Sequence, residues 1–243
     1  MGSKSACIVF EDSQPELVIE ACVASAFKLS GQRCVSSGRM LIQRTVIDEF
    51  VKEFAKRAEQ LTTGDPFSDP APYYGPIINE PGFAKIKAMN KLVEDDPNAE
   101  ILVQPTYTGA SGTYYSTPMV YKTEWRDVPY LKQEVFGPHV AIIPFDDVDD
   151  AIRIYNDTEY GLAVGILTEN YKVARKMRDE CDAGMIYWNG GSIAAESHLS
   201  FGGVKKSGNG FPTAAKTWQS VTHTVSWTVN HDDQISFPQG MTK

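Results

Sequence analysis

The sequence contains little that would stabilise a small disulfide-rich, metal-held or membrane-bound protein. Only four of its 243 residues are cysteine, and Cys7, Cys22, Cys34 and Cys181 are scattered. They form no CxxC pair, and no spacing among them is typical of a zinc site. No apolar run is as long as about 18 residues, and no basic, apolar leader precedes the first strand. We therefore expect no metal, no membrane partner and a cytoplasmic location.

Basic residues are also fewer than acidic residues in this sequence. The chain has 23 lysines and arginines against 31 aspartates and glutamates, which gives a formal net charge of -8. This balance argues against general binding to nucleic acid, so a small-molecule partner is expected. With 42% hydrophobic and 22% charged residues, the composition is that of an ordinary globular protein with a substantial core.

Strand-like and helix-like patterns alternate along most of the chain. The predicted strands are residues 6–10, 40–42, 101–103, 140–145, 163–167, 185–188 and 221–229. The predicted helices are residues 16–27, 47–61, 83–93, 148–156 and 171–181. Residues 62–81 are predicted as a long ordered loop and residues 107–117 as an irregular segment. The alternation predicts an α/β fold, with a mostly parallel open sheet flanked by helices.

Three loop segments hold residues that could carry chemistry. Cys34 follows a predicted helix in the segment Gly31–Cys34, where the preceding arginine favours a thiolate. The other three cysteines fall inside predicted strands or at helices, so we expect them to be buried and structural. Glu134 opens the turn 134–138, and residues 200–210 form a glycine-dense loop that lacks the spacing of a nucleotide-binding motif. Each segment alone is also compatible with ordinary loop structure.

In this order, the three segments resemble the catalytic half of the aldehyde dehydrogenase superfamily. That family carries Gly-Gln-x-Cys, then Glu-x-Phe-Gly-Pro, then Phe-Gly-Gly-x-Lys-x-Ser-Gly, which are residues 31–34, 134–138 and 201–208 here. Residues 6–12, 75–78 and 156–163 are similar as well. The resemblance runs from Lys4 to about Asn230. It implies a catalytic domain of the aldehyde dehydrogenase type over residues 1–230 and a C-terminal tail over 231–243.

The resemblance implies a role for each of these residues. Cys34 would attack an aldehyde to give a thiohemiacetal and then, after hydride transfer to NAD or NADP, a thioester that water hydrolyses to the acid. The backbone N–H of Cys34 would hold part of the oxyanion. Glu134 would bind the hydroxyls of the nicotinamide ribose, and Phe136 would pack beside that ribose. The residues implied to shape the aldehyde tunnel are Phe27, Arg33, Val35 and Phe201.

The family also has parts that this sequence does not contain. Its first half supplies a Rossmann-like coenzyme domain and a glutamate general base, and that glutamate would stand immediately before Met1. Ser3 occupies a position that is usually glycine, and Ser200 one that is usually proline. We therefore expect weak or no binding of NAD(P) and no useful oxidation by this chain alone.

The resemblance further implies a substrate and an assembly. Residues 156–163 and 190–199 look closest to members that act on aliphatic or amino-acid-derived semialdehydes. Residues 220–229 would form an oligomerisation strand that pairs with a segment of the missing half. Without that segment the strand would have an unpaired edge, so we expect homo-oligomers or self-association through it.

Two other classes of function remain open. One is a stand-alone cysteine hydrolase or acyltransferase, which would need a histidine beside Cys34. None of the four candidates lies in a recognisable Cys-His signature; they are His139, His198, His223 and His231. The other is a non-catalytic scaffold or structural fragment. The intact motifs at 31–34 and 134–138 favour an enzyme.

Overall fold

The computed structural model describes residues 2–110, 112–231, 233 and 239–240. Within these residues the α-helices are α1 (Pro15–Phe27), α2 (Ile47–Glu59), α3 (Glu80–Glu94), α4 (Pro129–Lys132), α5 (Val148–Asn156), α6 (Tyr171–Glu180) and α7 (Thr217–Val221). The strands are β1 (Ala6–Val9), β2 (Arg39–Gln43), β3 (Glu100–Val103), β4 (Tyr107–Ala110), β5 (Thr113–Ser116), β6 (Met119–Lys122), β7 (His139–Phe145), β8 (Tyr160–Gly161), β9 (Ala163–Leu167), β10 (Met185–Trp188) and β11 (Val204–Lys205). None of the helices just given combines the length and the apolar character needed to cross a membrane.

Seven of these strands form one sheet in the order β10-β9-β1-β2-β7-β6-β3. Every neighbouring pair in it is parallel except β3 and β6, which are antiparallel at one edge. Strands β1, β7 and β9 are buried along their whole length. Such burial is typical of parallel strands covered by helices on both faces. The predicted fold class, a mostly parallel open sheet flanked by helices, is confirmed.

Alternate residues of each central strand enter two different cores. Cys7 packs with α1 and α2 on one face of the sheet, where Phe27 and Phe54 also lie. Its neighbour Ile8 packs on the opposite face with residues of α5 and α6, such as Tyr155. This division follows from the two-residue period of a strand, which sends successive side chains to opposite faces.

The parallel pairing also decides where the functional segments meet. Strands β1, β2 and β7 run in the same direction, so their amino ends lie at the same edge of the sheet. The segments that immediately precede them are residues 2–5, 31–38 and 133–138. Segments far apart in sequence therefore come together at the amino edge, although many parallel α/β sheets bind ligands at the opposite edge.

Two predictions of local structure are wrong. Residues 107–117 contain an antiparallel hairpin of β4 and β5, in which Tyr107 pairs with Ser116 and Thr108 with Tyr115. The predicted strand over residues 221–229 is not formed either, since α7 ends at Val221 and residues 222–231 contain no strand. A strand needs a neighbour for its backbone N–H and C=O groups, and no described strand pairs with this segment. Its part in oligomerisation stays a prediction.

Candidate active site

The loop that carries Cys34 has an unusual backbone. After α1, a short 3-10 turn spans Lys28–Gly31, and within it Leu29 (φ 56°), Ser30 (φ 59°) and Gly31 (φ 67°) are all left-handed. For residues other than glycine this conformation costs about 1–2 kcal/mol each. Strain of this kind persists only where the surroundings hold the segment in place.

Hydrogen bonds to a second loop hold this turn. Ser30 Oγ donates to the carbonyl of Gly75 at 2.8 Å. Gln32 Nε2 donates to the carbonyl of Pro76 at 3.1 Å, and Gln32 Oε1 accepts from the backbone N–H of Ile78 at 2.9 Å. Gln32, the glutamine of the Gly-Gln-x-Cys pattern, therefore joins the Cys34 loop to residues 75–78 through two hydrogen bonds.

Close backbone contact joins the Cys34 loop to the Glu134–Pro138 turn. A Cβ on Gly31 would collide with the carbonyl oxygen of Gly137. Gly31 is therefore required for the approach of two loops that lie about a hundred residues apart in sequence. A Cβ on Gly137 would instead collide with the side chain of Ile86.

Cys34 is an exposed residue of this loop. Among the described residues, no acceptor pairs with its backbone N–H. The next residue is fixed by a buried chain in which Ser37 Oγ donates to Ser192 Oγ at 2.7 Å and Ser192 Oγ donates to the carbonyl of Val35 at 2.6 Å. The loop thus offers a thiol and a nearby N–H donor on an anchored backbone.

The other three cysteines are buried, as predicted. A hydrogen bond from Cys22 holds the pKa of the Cys7 thiol below its ordinary value, with burial acting in the opposite direction. Burial raises the pKa of Cys181 to about 12. Cys7 is fully buried, so a lowered pKa does not make it accessible to an electrophile.

Limiting iodoacetamide should therefore alkylate Cys34 first. We expect its rate to exceed the rates of Cys7, Cys22 and Cys181 by at least about tenfold, because the buried thiols react only when the structure opens. Peptide mass spectrometry after short labelling measures the order, and the urea-unfolded chain serves as the control with all four sites open. Equal labelling of Cys34 and Cys7 in the folded chain would show that the thiol is not presented as described.

Glu134 is half-buried, and its carboxylate is held from the amino edge of β1. The backbone N–H of Ser3 donates to Glu134 Oε1 at 3.0 Å. Burial raises the pKa of the carboxyl above its ordinary value, while the Ser3 N–H, Lys85 and Lys4 act to lower it. One carboxylate oxygen is thus oriented by the protein, and the group retains capacity to accept further hydrogen bonds.

Three of the predicted site residues line one small cavity between the two loops. The cavity has a volume of about 20 Å³, and Arg33, Glu134 and Phe136 are among its lining residues. Such a space is roughly large enough for one water molecule. Phe136 itself has a left-handed backbone (φ 61°) and is 40% exposed. The structure brings these residues together beside the Cys34 loop.

The residues predicted to shape the tunnel separate into two groups. Val35 is buried in a cluster with Leu162 and Met185, and Phe201 packs against the same cluster. Phe27 is fully buried and packs against Phe54, with the ring centroids 5.9 Å apart and the ring planes tilted by 33°. It belongs to the core between α1 and α2 because it follows the apolar face of its helix. The predicted place of Phe27 in the aldehyde tunnel stays a prediction.

The histidines do not supply a base for Cys34. His139 is buried, with Nε2 2.9 Å from the hydroxyl of Tyr121 and Nδ1 2.6 Å from Oδ1 of Asn90, so both ring nitrogens are engaged. Burial and the charge of Lys4 hold the pKa of His139 well below its usual range. His198, His223 and His231 are exposed, and no described hydrogen bond joins them to Cys34. This arrangement weakens the hydrolase hypothesis.

Two buried cations lie at the amino edge of the sheet, and the sequence motifs did not predict either of them. Lys4 is 4% exposed and donates to the carbonyls of Tyr130 (2.9 Å) and Gln133 (2.8 Å). Arg39 is 1% exposed and donates only to backbone carbonyls, among them that of Lys4. A signal for Arg39 exists, since it begins the otherwise apolar stretch 39–42, where a charged residue needs buried partners.

Comparison with known proteins adds to this geometry. The model of the aldehyde dehydrogenase family matches residues 1–227. A curated 1-pyrroline-5-carboxylate dehydrogenase from Staphylococcus aureus is 34% identical over 218 residues, covering 89% of this chain and 41% of that protein. This chain therefore spans less than half the length of that relative.

Solved structures agree with the observed fold. A 3,6-anhydro-L-galactose dehydrogenase superimposes with a TM-score of 0.83 at 30% identity, over 88% of this chain and 45% of that one. A 1-pyrroline-5-carboxylate dehydrogenase from Thermus, solved with bound NAD, gives a TM-score of 0.77 at 26% identity, over 84% of this chain and 39% of the other.

Proposed function

Because the chain belongs to the aldehyde dehydrogenase family, we propose that it is the nucleophile-bearing part of an NAD(P)-dependent aldehyde dehydrogenase. The observation that carries this proposal is the exposed thiol of Cys34 beside an unpaired backbone N–H, on a loop packed against the Glu134 turn. A thiol alone would not distinguish this function from others. The same geometry supports covalent attack on a carbonyl and binding of a ribose next to it.

The chemistry begins at Cys34. Its thiolate adds to the carbonyl carbon of the aldehyde, and the oxyanion of the resulting thiohemiacetal lies toward the Cys34 N–H. The nicotinamide, when bound, supplies the acceptor for the hydride that leaves this carbon. Water then attacks the thioester on Cys34, which releases the carboxylic acid and restores the thiol.

The Glu134 turn fits the ribose of a nicotinamide nucleotide. Its carboxylate is oriented by Ser3 yet accepts further hydrogen bonds, which suits a pair of vicinal hydroxyls. Phe136 is exposed beside it and offers a ring face against which the sugar can pack. The chain spans about 41% of its curated relative. We propose that, of the weak or absent NAD(P) binding expected for the chain alone, weak binding at the Glu134 turn remains, and that the chain does not oxidise aldehydes usefully.

We propose a small aliphatic or amino-acid-derived semialdehyde as substrate and the cytoplasm as location. The name of the Staphylococcus aureus relative, which states a pyrroline carboxylate, supports the substrate class. Homo-oligomers through residues 220–229 also remain a proposal. In that region Val225 is 69% and Trp227 87% exposed, which supports a contact surface.

Substitution of Glu134 tests the ribose site directly. Nicotinamide mononucleotide should give saturation-transfer NMR signals from its ribose protons with the unmodified chain. With Glu134→Ala we expect the affinity to fall by about tenfold or more, the usual effect of losing a charged hydrogen-bond acceptor. Glu59→Ala at an exposed position of α2 is the matched control. Unchanged ribose signals in Glu134→Ala would overturn the assignment.

A further inference from the structure

The buried Lys4 side chain ends on the segment that carries Glu134. Its Nζ donates to the carbonyl of Tyr130, the second residue of α4, and to that of Gln133, the residue that follows α4. Glu134 is the next residue along the chain. Lys4 therefore fixes the main chain of the turn at the point where the Glu134 side chain emerges.

The residues beside Lys4 hold the side chain of Glu134 as well. The backbone N–H of Ser3 donates to Oε1. A Cβ built on Gly2 would lie 3.0 Å from Oε2, so the second oxygen is also against this segment. Residues 2–4 thus contact both the main chain and the carboxylate of the Glu134 turn.

Lys4 is itself held in place from the sheet. Arg39 Nη2 and Nε donate to the carbonyl of Lys4 at 2.5 and 3.0 Å. The other donor contacts of Arg39 go to the carbonyls of Ile154 and Tyr155 at the end of α5. The position of Lys4 is therefore determined by the first residue of β2.

The electrostatics of this site link the amine to one carboxylate. Burial is the largest cause that lowers the pKa of Lys4, to about 7, and Arg39 and Lys85 lower it further. Glu134 is the one carboxylate among the described charges acting on it, and it raises that pKa. In return the charge of Lys4 lowers the pKa of Glu134 and of the adjoining His139. An apolar side chain would fill the same space without the penalty of burying an ammonium group.

We propose that Lys4 is a positioning residue for Glu134, which fixes the turn through two carbonyls and keeps the carboxylate ionised for a ribose hydroxyl. The ligand part rests on the proposed function, whereas the coupling of Lys4 with Glu134 does not. Lys4 acts through the turn, because its Nζ contacts backbone carbonyls and not the Cys34 thiol.

The coupling is measured by NMR without any ligand. In protein labelled with 13C at glutamate Cδ, Lys4→Met should raise the titration midpoint of Glu134, because a positive charge that favours the carboxylate is lost. The exposed Lys91→Met should leave it unchanged. The reciprocal experiment follows Lys4 Cε in Glu134→Gln, where the Lys4 midpoint should fall below that of the unmodified chain, because the carboxylate that raises it is lost.

These outcomes separate positioning from bulk stability. If Lys4→Met does not fold, the Glu134→Gln measurement still decides, because Glu134 is half-exposed. An unchanged Lys4 midpoint in Glu134→Gln would overturn the proposal, as would equal Glu134 midpoints in Lys4→Met and Lys91→Met. Coupled midpoints without any binding of nicotinamide mononucleotide would instead overturn the proposed function and leave the positioning role standing.

Discussion

Replacement of Arg39 by methionine should lower the free energy of unfolding by about 3–5 kcal/mol. The guanidinium is 1% exposed and satisfies the carbonyls of Lys4, Ile154 and Tyr155. Methionine has no donor, so these buried oxygens would lose their partners, at about 1–3 kcal/mol each where water cannot replace them. The cation also lies 5.3 Å from the centroid of the Tyr155 ring and 5.4 Å from that of Trp125, contacts that methionine reproduces only in part.

Urea denaturation followed by circular dichroism measures this loss through the shift of the midpoint at constant slope. Arg175→Met is the matched control, because Arg175 is 62% exposed on α6 and has a loose ion pair with Asp179 at 3.9 Å. The control should change stability by less than about 1 kcal/mol. A loss for Arg39→Met no larger than that of Arg175→Met would show that the buried contacts contribute little.

Gly31→Ala should destabilise the domain by about 2–4 kcal/mol and displace the Cys34 loop. Two costs combine at this position. The left-handed backbone (φ 67°) is unfavourable for alanine, and the new methyl group would meet the carbonyl of Gly137. Because the collision can be relieved only by separating the two loops, the reactivity of Cys34 should change together with the stability.

Gly112→Ala separates these two costs. Gly112 has φ 84°, but nothing lies within 4 Å of a Cβ built there. It should therefore show only the conformational cost, about 1–2 kcal/mol. Urea denaturation and iodoacetamide labelling of Cys34 are measured for both variants. Equal destabilisation, with unchanged labelling in Gly31→Ala, would show that the loops adapt without moving the thiol.

The central elements were predictable because their signals are local. The helical period of residues 16–27 and the apolar runs at 140–145 and 163–167 specify α1, β7 and β9 within a few residues. The candidate nucleophile was identified from its motif, and its exposure follows from the loop after α1. Periodicity and motif spacing together therefore located most of what surrounds Cys34.

The remaining features depend on partners that the sequence does not mark. Lys4 and Arg39 donate hydrogen bonds to backbone carbonyls. Because every residue has a backbone carbonyl, no pattern of side chains in the sequence predicts which ones these two residues bind. Phe27 has the spacing of a core residue, and the resemblance alone placed it in the tunnel. The strand predicted at 221–229 has a β pattern, but strand formation requires a second chain segment, and none of the strands that the structure describes pairs with it.

The long sequence separations at the amino edge have a consequence for the order of folding. Ser3 meets Glu134 across 131 residues, and the carbonyl of Gly2 accepts from Ser207 Oγ across 205 residues. Contacts between such distant segments must close very large loops, and they slow folding relative to local ones. We therefore expect the helices and the central strand pairs to assemble first, and the setting of the Cys34 thiol to be among the last parts of the molecule to become native.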